Sequence, residues 1–224
     1  VSPEEERRRL RPALQILRDE YPDLPVSVDT FRSDVARMAV EEYGTSMIND
    51  ISGGGLDPAM YRTMAELQVP YILMHMKGDP KTMQQQASYS DVTLEVIDYF
   101  AQRVGQLLEL GVHDIILDPG FGFSKTTVQN YELLAQLGSL VEAFTQPLLV
   151  GVSRKSMIYR PLGITPEEAL SGTTFLHALA LERGAKILRV HDVRPAVEAV
   201  QLYEELHPYL RSDGALHYQH LRPL

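Results

Sequence analysis

The 224-residue chain is 44% hydrophobic and 23% charged, the balance of an ordinary globule long enough to bury a core of its own. Its formal net charge of −9 argues against a general affinity for nucleic acid or anionic membrane, while leaving room for a local cationic pocket. With no cysteine, the chain has no disulfides, thiolate metal sites or cysteine nucleophiles, and no apolar run approaches the ~20 residues of a membrane span.

The first predicted element is a helix: Ser2 and Glu5 have the spacing of a capping box, Pro3 suits the first helical position, and Leu10, Leu14 and Leu17 form an apolar stripe. Pro12 is expected to bend it, because proline removes a backbone donor. Strands then alternate with helices: strand 26–29, helix 33–43, strand 46–51, helix 57–68, strand 70–75, helix 91–110 and strand 114–118. Helix 127–143, strand 147–152, helix 166–183, strand 186–190 and helix 194–206 follow. The strands are unbroken apolar runs such as Pro147 to Val152, the pattern of parallel strands buried on both faces. About six βα units are legible, and six strands could form an open doubly wound sheet. With a helix first and no strand before it, the chain is read as an α/β protein of the (β/α)8 barrel class lacking its first two units, a fold that typically takes ~250 residues. The start, Val1-Ser2-Pro3-Glu4-Glu5, reads as neither a signal peptide nor an initiator sequence, so a chain cut at its front is expected. Residues 1–210 are expected to form the barrel domain, and 211–224, without a clear period, a tail.

Polar residues gather where strands end, the rim at which parallel α/β proteins do their chemistry. Asp29, Asn49 and Asp118 each close a different strand, and a closed sheet brings them around one pocket. A carboxylate accepts two parallel hydrogen bonds and an amide offers both a donor and an acceptor, so the set suits the edge of a flat heterocycle with ring N–H and amino donors. Taken singly, each of the three could equally cap a helix or fix a turn. Ser153-Arg154-Lys155-Ser156 adds cations and hydroxyls at the same rim, where a lysine can neutralise developing negative charge; the plainer reading is a solvated basic turn. Arg189 and His191, two apart on the last strand, share a face and form a receptor for phosphate or diphosphate, unless Arg189 is spent on an ion pair with Asp192 or Asp50. His75, at a strand end, reads as a structural hydrogen-bonder, and the histidines show no metal-ligand spacing.

Taken in order, Val28-Asp29-Thr30, Ile48-Asn49-Asp50-Ile51-Ser52-Gly53-Gly54, Met74 to Pro80 with Met83-Gln84, Asp118-Pro119-Gly120-Phe121-Gly122-Phe123-Ser124-Lys125, Gly151 to Ser156 and Arg189-Val190-His191-Asp192 resemble dihydropteroate synthase, the pterin-binding barrel of folate biosynthesis. The resemblance runs from about residue 2 to 206. It implies condensation of 6-hydroxymethyl-7,8-dihydropterin diphosphate with 4-aminobenzoate to give 7,8-dihydropteroate and diphosphate. By position, Asp29, Asn49, Ile51, Met74, Asp118, Phe123 and Lys155 would hold the pterin, Arg189 and His191 the diphosphate, and Ser156 the aminobenzoate carboxylate. Lys155, Asp118, Arg189 and His191 would be the catalytic groups. In the family the bond to diphosphate breaks early and leaves a cationic methylene, so the site needs leaving-group stabilisation more than a strong base. The resemblance further implies Mg2+ on the diphosphate oxygens, a cytoplasmic enzyme and a homodimer. It also implies two front segments not found in this sequence, one of them carrying a metal-binding asparagine, so no metal ligand is expected in this chain and its activity alone is expected to be weak. The rival readings are a related methyltransferase acting on methyltetrahydrofolate, which needs no diphosphate site, and a non-catalytic pterin-binding fragment.

Overall fold

The computed structural model describes residues 1–210, so the expected tail at 211–224 lies outside the described residues. Helix α1 (Pro3–Glu20) starts where expected: the Ser2 hydroxyl accepts the Glu5 backbone N–H at 3.2 Å. Only half of the capping box forms, because the Glu5 carboxylate turns to Arg8 and Arg9 instead. The helix runs unbroken through Pro12 and buries Leu14.

From there the elements alternate as β1 (Ser27–Asp29), α2 (Ser33–Tyr43), β2 (Met47–Asp50), α3 (Met60–Leu67), β3 (Tyr71–Met74), α4 (Val92–Glu109) and β4 (Ile115–Asp118). The remainder is α5 (Thr127–Ala135), α6 (Leu137–Ala143), β5 (Leu149–Val150), α7 (Ser156–Leu162), α8 (Leu170–Glu182), β6 (Ile187–Leu188) and α9 (Val193–Leu210). The single helix expected over 127–143 is two helices meeting at Gln136. Leu133, Leu134, Leu137 and Leu140 are all buried and keep helical spacing across the break, which is why periodicity did not reveal it. Helix ends follow local chemistry: Asp91 caps α4 by accepting Thr93 and Leu94 N–H, and Thr126 with Gln129 completes a capping box on α5.

All strand pairs are parallel. Strands β1 to β4 form one sheet in chain order, β5 pairs with β6, and a Leu117–Leu148 bridge joins the two groups. Six strands succeeding one another in sequence order, with helices between them, give the (β/α) barrel architecture. Two apolar layers follow from the two-residue period of a strand. Val28, Ile48, Tyr71, Leu73, Ile115, Leu117 and Val150 face the helices and join the large core. Ile72, Ile116 and Leu149 form a second cluster with Met47 and Ile187, filling the concave face. Two residues further along, that face carries Asn49, Met74, Asp118 and Arg189, and Asp29 lies opposite Asn49 in register.

Candidate active site

Strand register decides which polar residues can act together. Asn49 faces the concave side and its neighbour Asp50 the helical side, because consecutive residues alternate. Asp50 is fully buried there, accepting the Ser52 N–H and hydroxyl, the Gly54 N–H and the Tyr71 hydroxyl. It fixes the loop after β2 and takes no part in the pocket. Asn49 donates from Nδ2 to Asp29 Oδ1 at 2.9 Å, while its buried Oδ1 has no hydrogen-bond partner among the described residues. Such an orphaned acceptor costs free energy unless a ligand or water supplies a donor.

Across the rim, Arg189 donates to Asp29 Oδ2 at 2.7 Å. This overturns the alternative pairing of Arg189 with Asp192 or Asp50: Asp192 receives a two-pronged bond from Arg154 at 2.8 and 2.9 Å, and Asp50 is spent on its own loop. Arg154 and Lys155, adjacent in sequence, therefore have different jobs. Arg154 braces the end of β6, whereas Lys155 reaches inward to the Phe121 carbonyl and lies 5.0 Å from the centroid of the Phe123 ring. His191 stands beside Ser153, its Nδ1 2.9 Å from the Ser153 hydroxyl oxygen, so the two residues expected to share a phosphate are held by different partners. Ser156 opens α7 next to Lys155 and is half-buried; no hydrogen bond ties it to the other site residues among the described residues.

The glycine-rich turn after β4 orders Asp118 and meets Lys155. Asp118 is buried and accepts the Gly120 N–H at 2.8 Å through Oδ1, leaving Oδ2 without a protein donor among the described residues. Burial raises the Asp118 pKa, opposed by the charge of Lys155, the Gly120 N–H and the charges of Lys125 and Arg189. Burial likewise lowers that of Lys155, with Asp118 acting in the opposite direction. Gly120 (φ +70°) passes so close to β3 that an added Cβ would lie 2.1 Å from the His75 carbonyl oxygen. Gly122 packs against the Lys155 stem and is anchored from α5, its N–H donating to Asn130 Oδ1 at 2.7 Å. Met74 is buried beside this turn, and Ile51 lines a cleft of about 830 Å3 with Asp29, Phe31 and Pro80.

Lys125 escaped the sequence reading. A lysine closing a polar turn reads as solvated, yet this one is 3% exposed, its Nζ 2.9 Å from His75 Nδ1, 3.1 Å from the Gly120 carbonyl and 3.2 Å from that of Phe123. Burial pushes its pKa down to about 7 from 10.5, with Asp118 opposing and Lys155 and Lys77 adding to the fall. Because the folded value lies below the unfolded one, the unfolded chain binds the extra proton between them. The Lys125 contribution to stability is thus full above about pH 10.5 and is lost as pH falls through about 7. Denaturation in urea from pH 6.5 to 9.5 should show the wild type gaining stability relative to Lys125→Met, by a few kcal/mol at most on the scale of ~1.4 kcal/mol per pKa unit. Parallel curves for the two proteins would reject the burial argument.

The model for the family described as pterin binding enzymes matches residues 1–191. Dihydropteroate synthase of Escherichia coli strain K12 is 41% identical over 206 residues, covering 91% of this chain and 72% of that protein. The crystal structure of dihydropteroate synthase from Thermus thermophilus in complex with 6HMPPP superposes with a TM-score of 0.85 at 38% identity, covering 91% of this chain and 80% of that one. That of the Xanthomonas albilineans enzyme with 4-aminobenzoic acid also gives 0.85, at 39% identity, covering 92% and 73%. Family model, sequence relatives and solved structures agree with one another, and the chain belongs to the pterin binding enzyme family as a dihydropteroate synthase.

Proposed function

We propose that the concave rim of this dihydropteroate synthase binds 6-hydroxymethyl-7,8-dihydropterin diphosphate by its pterin edge and its diphosphate at once, and presents the methylene carbon between them to the amine of 4-aminobenzoate. The observation that carries this reading is the buried, unpartnered Oδ1 of Asn49, set beside Asp29 and on the same face as the open Oδ2 of Asp118. These are acceptors awaiting donors, and the amino and ring N–H groups of a pterin supply them. Lys155 lies close enough to Asp118 to shift its titration and donates to the ring carbonyl, while Met74 and Phe123 offer apolar contact to the ring. Arg189 and His191 take the diphosphate, and Ser156 the aminobenzoate carboxylate.

In the reaction the methylene–oxygen bond breaks, its electron pair leaves with the diphosphate, and the aryl amine forms the new carbon–nitrogen bond and gives up a proton. The residues serve this by holding the donor edge, so that the electron-rich ring can support a cationic methylene, and by presenting positive charge to the leaving group. Magnesium belongs to the proposal as a companion of the diphosphate, whose oxygens would hold it.

Arg189→Ala should weaken the diphosphate substrate by roughly tenfold to a hundredfold and the pterin without diphosphate by less than about threefold, since a charge-assisted bond contributes roughly 1.5–3 kcal/mol. Calorimetry with both ligands decides, and equal losses make Arg189 structural. A homodimer and a cytoplasmic setting complete the proposal. In support of the dimer, α8 and α9 pack on each other and expose Phe175, Leu202 and Leu206. Sedimentation as a single-chain species at micromolar concentration would exclude it. For the setting, the cysteine count of zero is compatible with a reducing compartment.

A further inference from the structure

The buried cation at Lys125 has no place in the binding scheme above, yet it touches three of its supports. An ammonium has three donors and no acceptor. Here the three meet the carbonyls of Gly120 and Phe123 and the Nδ1 of His75, which must then be the unprotonated nitrogen of a neutral ring. His75 is suited to that state: it is buried against Tyr99, with ring centroids 4.8 Å apart, and its pKa is held well below the usual value by burial and then by the charges of Lys125 and Lys77. Its backbone N–H donates to the Asp118 carbonyl at 2.9 Å, so the imidazole is anchored to the strand pair that carries the carboxylate.

Within the same turn, the Gly120 N–H holds Asp118, the Phe121 carbonyl holds Lys155, and the Phe123 ring faces Lys155. We propose that Lys125 is a positioning residue for the reaction: its ammonium clamps the Gly120–Phe123 turn onto His75 and thereby sets Asp118, Lys155 and Phe123 for the pterin. The inference rests on the pterin reading of the rim and deepens it. The clamp needs the protonated amine, because a neutral lysine has one donor fewer and carries no charge for Asp118. With the Lys125 pKa near 7, the clamp loosens as pH rises through neutrality. The groups facing the Lys125–His75 pair are Lys77 after β3, Asp118 from β4 and Lys155 before α7 on the lysine side, and Tyr89 in the loop after β3 with Tyr99 and Arg103 from α4 on the histidine side. Lys77 is itself paired with Glu95 at 2.6 Å.

The test is the affinity for 6-hydroxymethylpterin, measured by calorimetry from pH 6 to 9, with near-UV circular dichroism to confirm folding. The ligand's own titration is common to every protein compared. Wild type should lose about tenfold in affinity across a midpoint near 7. Lys125→Met should bind at least tenfold more weakly at pH 6 and lack that midpoint. His75→Asn, which keeps an acceptor in the place of Nδ1, should stay within about threefold of wild type, whereas His75→Leu should move the midpoint to lower pH. If Lys125→Met does not fold, the two His75 variants decide, and identical behaviour of the pair overturns the clamp. A folded Lys125→Met with wild-type affinity and pH profile overturns it as well. Asp118→Ala separates the two levels: lost binding there with intact binding in Lys125→Met removes only the clamp, and intact binding in both removes the pterin site itself.

Discussion

Asp118→Ala is expected to weaken pterin binding by at least roughly a hundredfold. The carboxylate has one oxygen held by the Gly120 N–H, so on the proposed reading it would meet a pterin edge already oriented. Two charge-assisted bonds at roughly 1.5–3 kcal/mol each account for a loss of that size. A second contribution adds to it. Lys125 and Lys155 are both destabilised by burial and supported by this one anion, so its removal leaves a buried and a half-buried cation without their shared counter-charge. Asp118→Asn should be almost as damaging despite its shape, because its amide presents a donor to a donor. Calorimetry with a pterin is the measurement, and an unchanged affinity in the alanine variant would falsify the central assignment.

Gly120→Ala is expected to cost about 3 kcal/mol of stability, from ~1–2 for a side chain in the left-handed region and ~1–3 for overpacking. The obstacle is backbone, the His75 carbonyl oxygen, on a residue whose own N–H is tied to β4, so neither side can yield easily. Gly44 provides the control. It ends α2 at φ +69° with nothing within 4 Å of an added Cβ, so Gly44→Ala carries the conformational cost alone. For a chain of this size, 1 kcal/mol shifts Tm by ~2–4 °C, and the gap between the two variants should be plain in a thermal melt. Equal shifts would mean that the close approach at Gly120 is relaxed in solution.

Strand order and the rim were legible because parallel strands leave continuous apolar runs, and because Asp29, Asn49 and Asp118 each terminate one. What one-dimensional reading lacked was side. Asn49-Asp50 is a polar pair in the sequence, and only the register of β2 against β1 and β3 divides it into an amide on the concave face and a carboxylate that fixes a loop. Arg154-Lys155 divides likewise: Arg154 takes a left-handed backbone (φ +53°) that turns it to Asp192, and Lys155 follows in extended conformation as the cap of α7. Lys125 and His75 are 50 positions apart, and no local pattern announces that each satisfies the other. The break at Gln136 was hidden for the opposite reason, since the leucine spacing on both sides of it continues as if the helix were whole.

The ion pair between Asp29 and Arg189 has a consequence for how the enzyme loads. It spans 160 positions of chain and joins the rim ends of the first and last strands, yet both side chains are about half exposed, so the contact is weak enough to be exchanged. On the proposed reading, a substrate whose bicyclic head engages the aspartate and whose charged arm engages the arginine would supplant the direct contact with itself. The bound molecule would then fasten the two strand ends, and an occupied protein should resist heat more than either half of the substrate, added alone, can achieve.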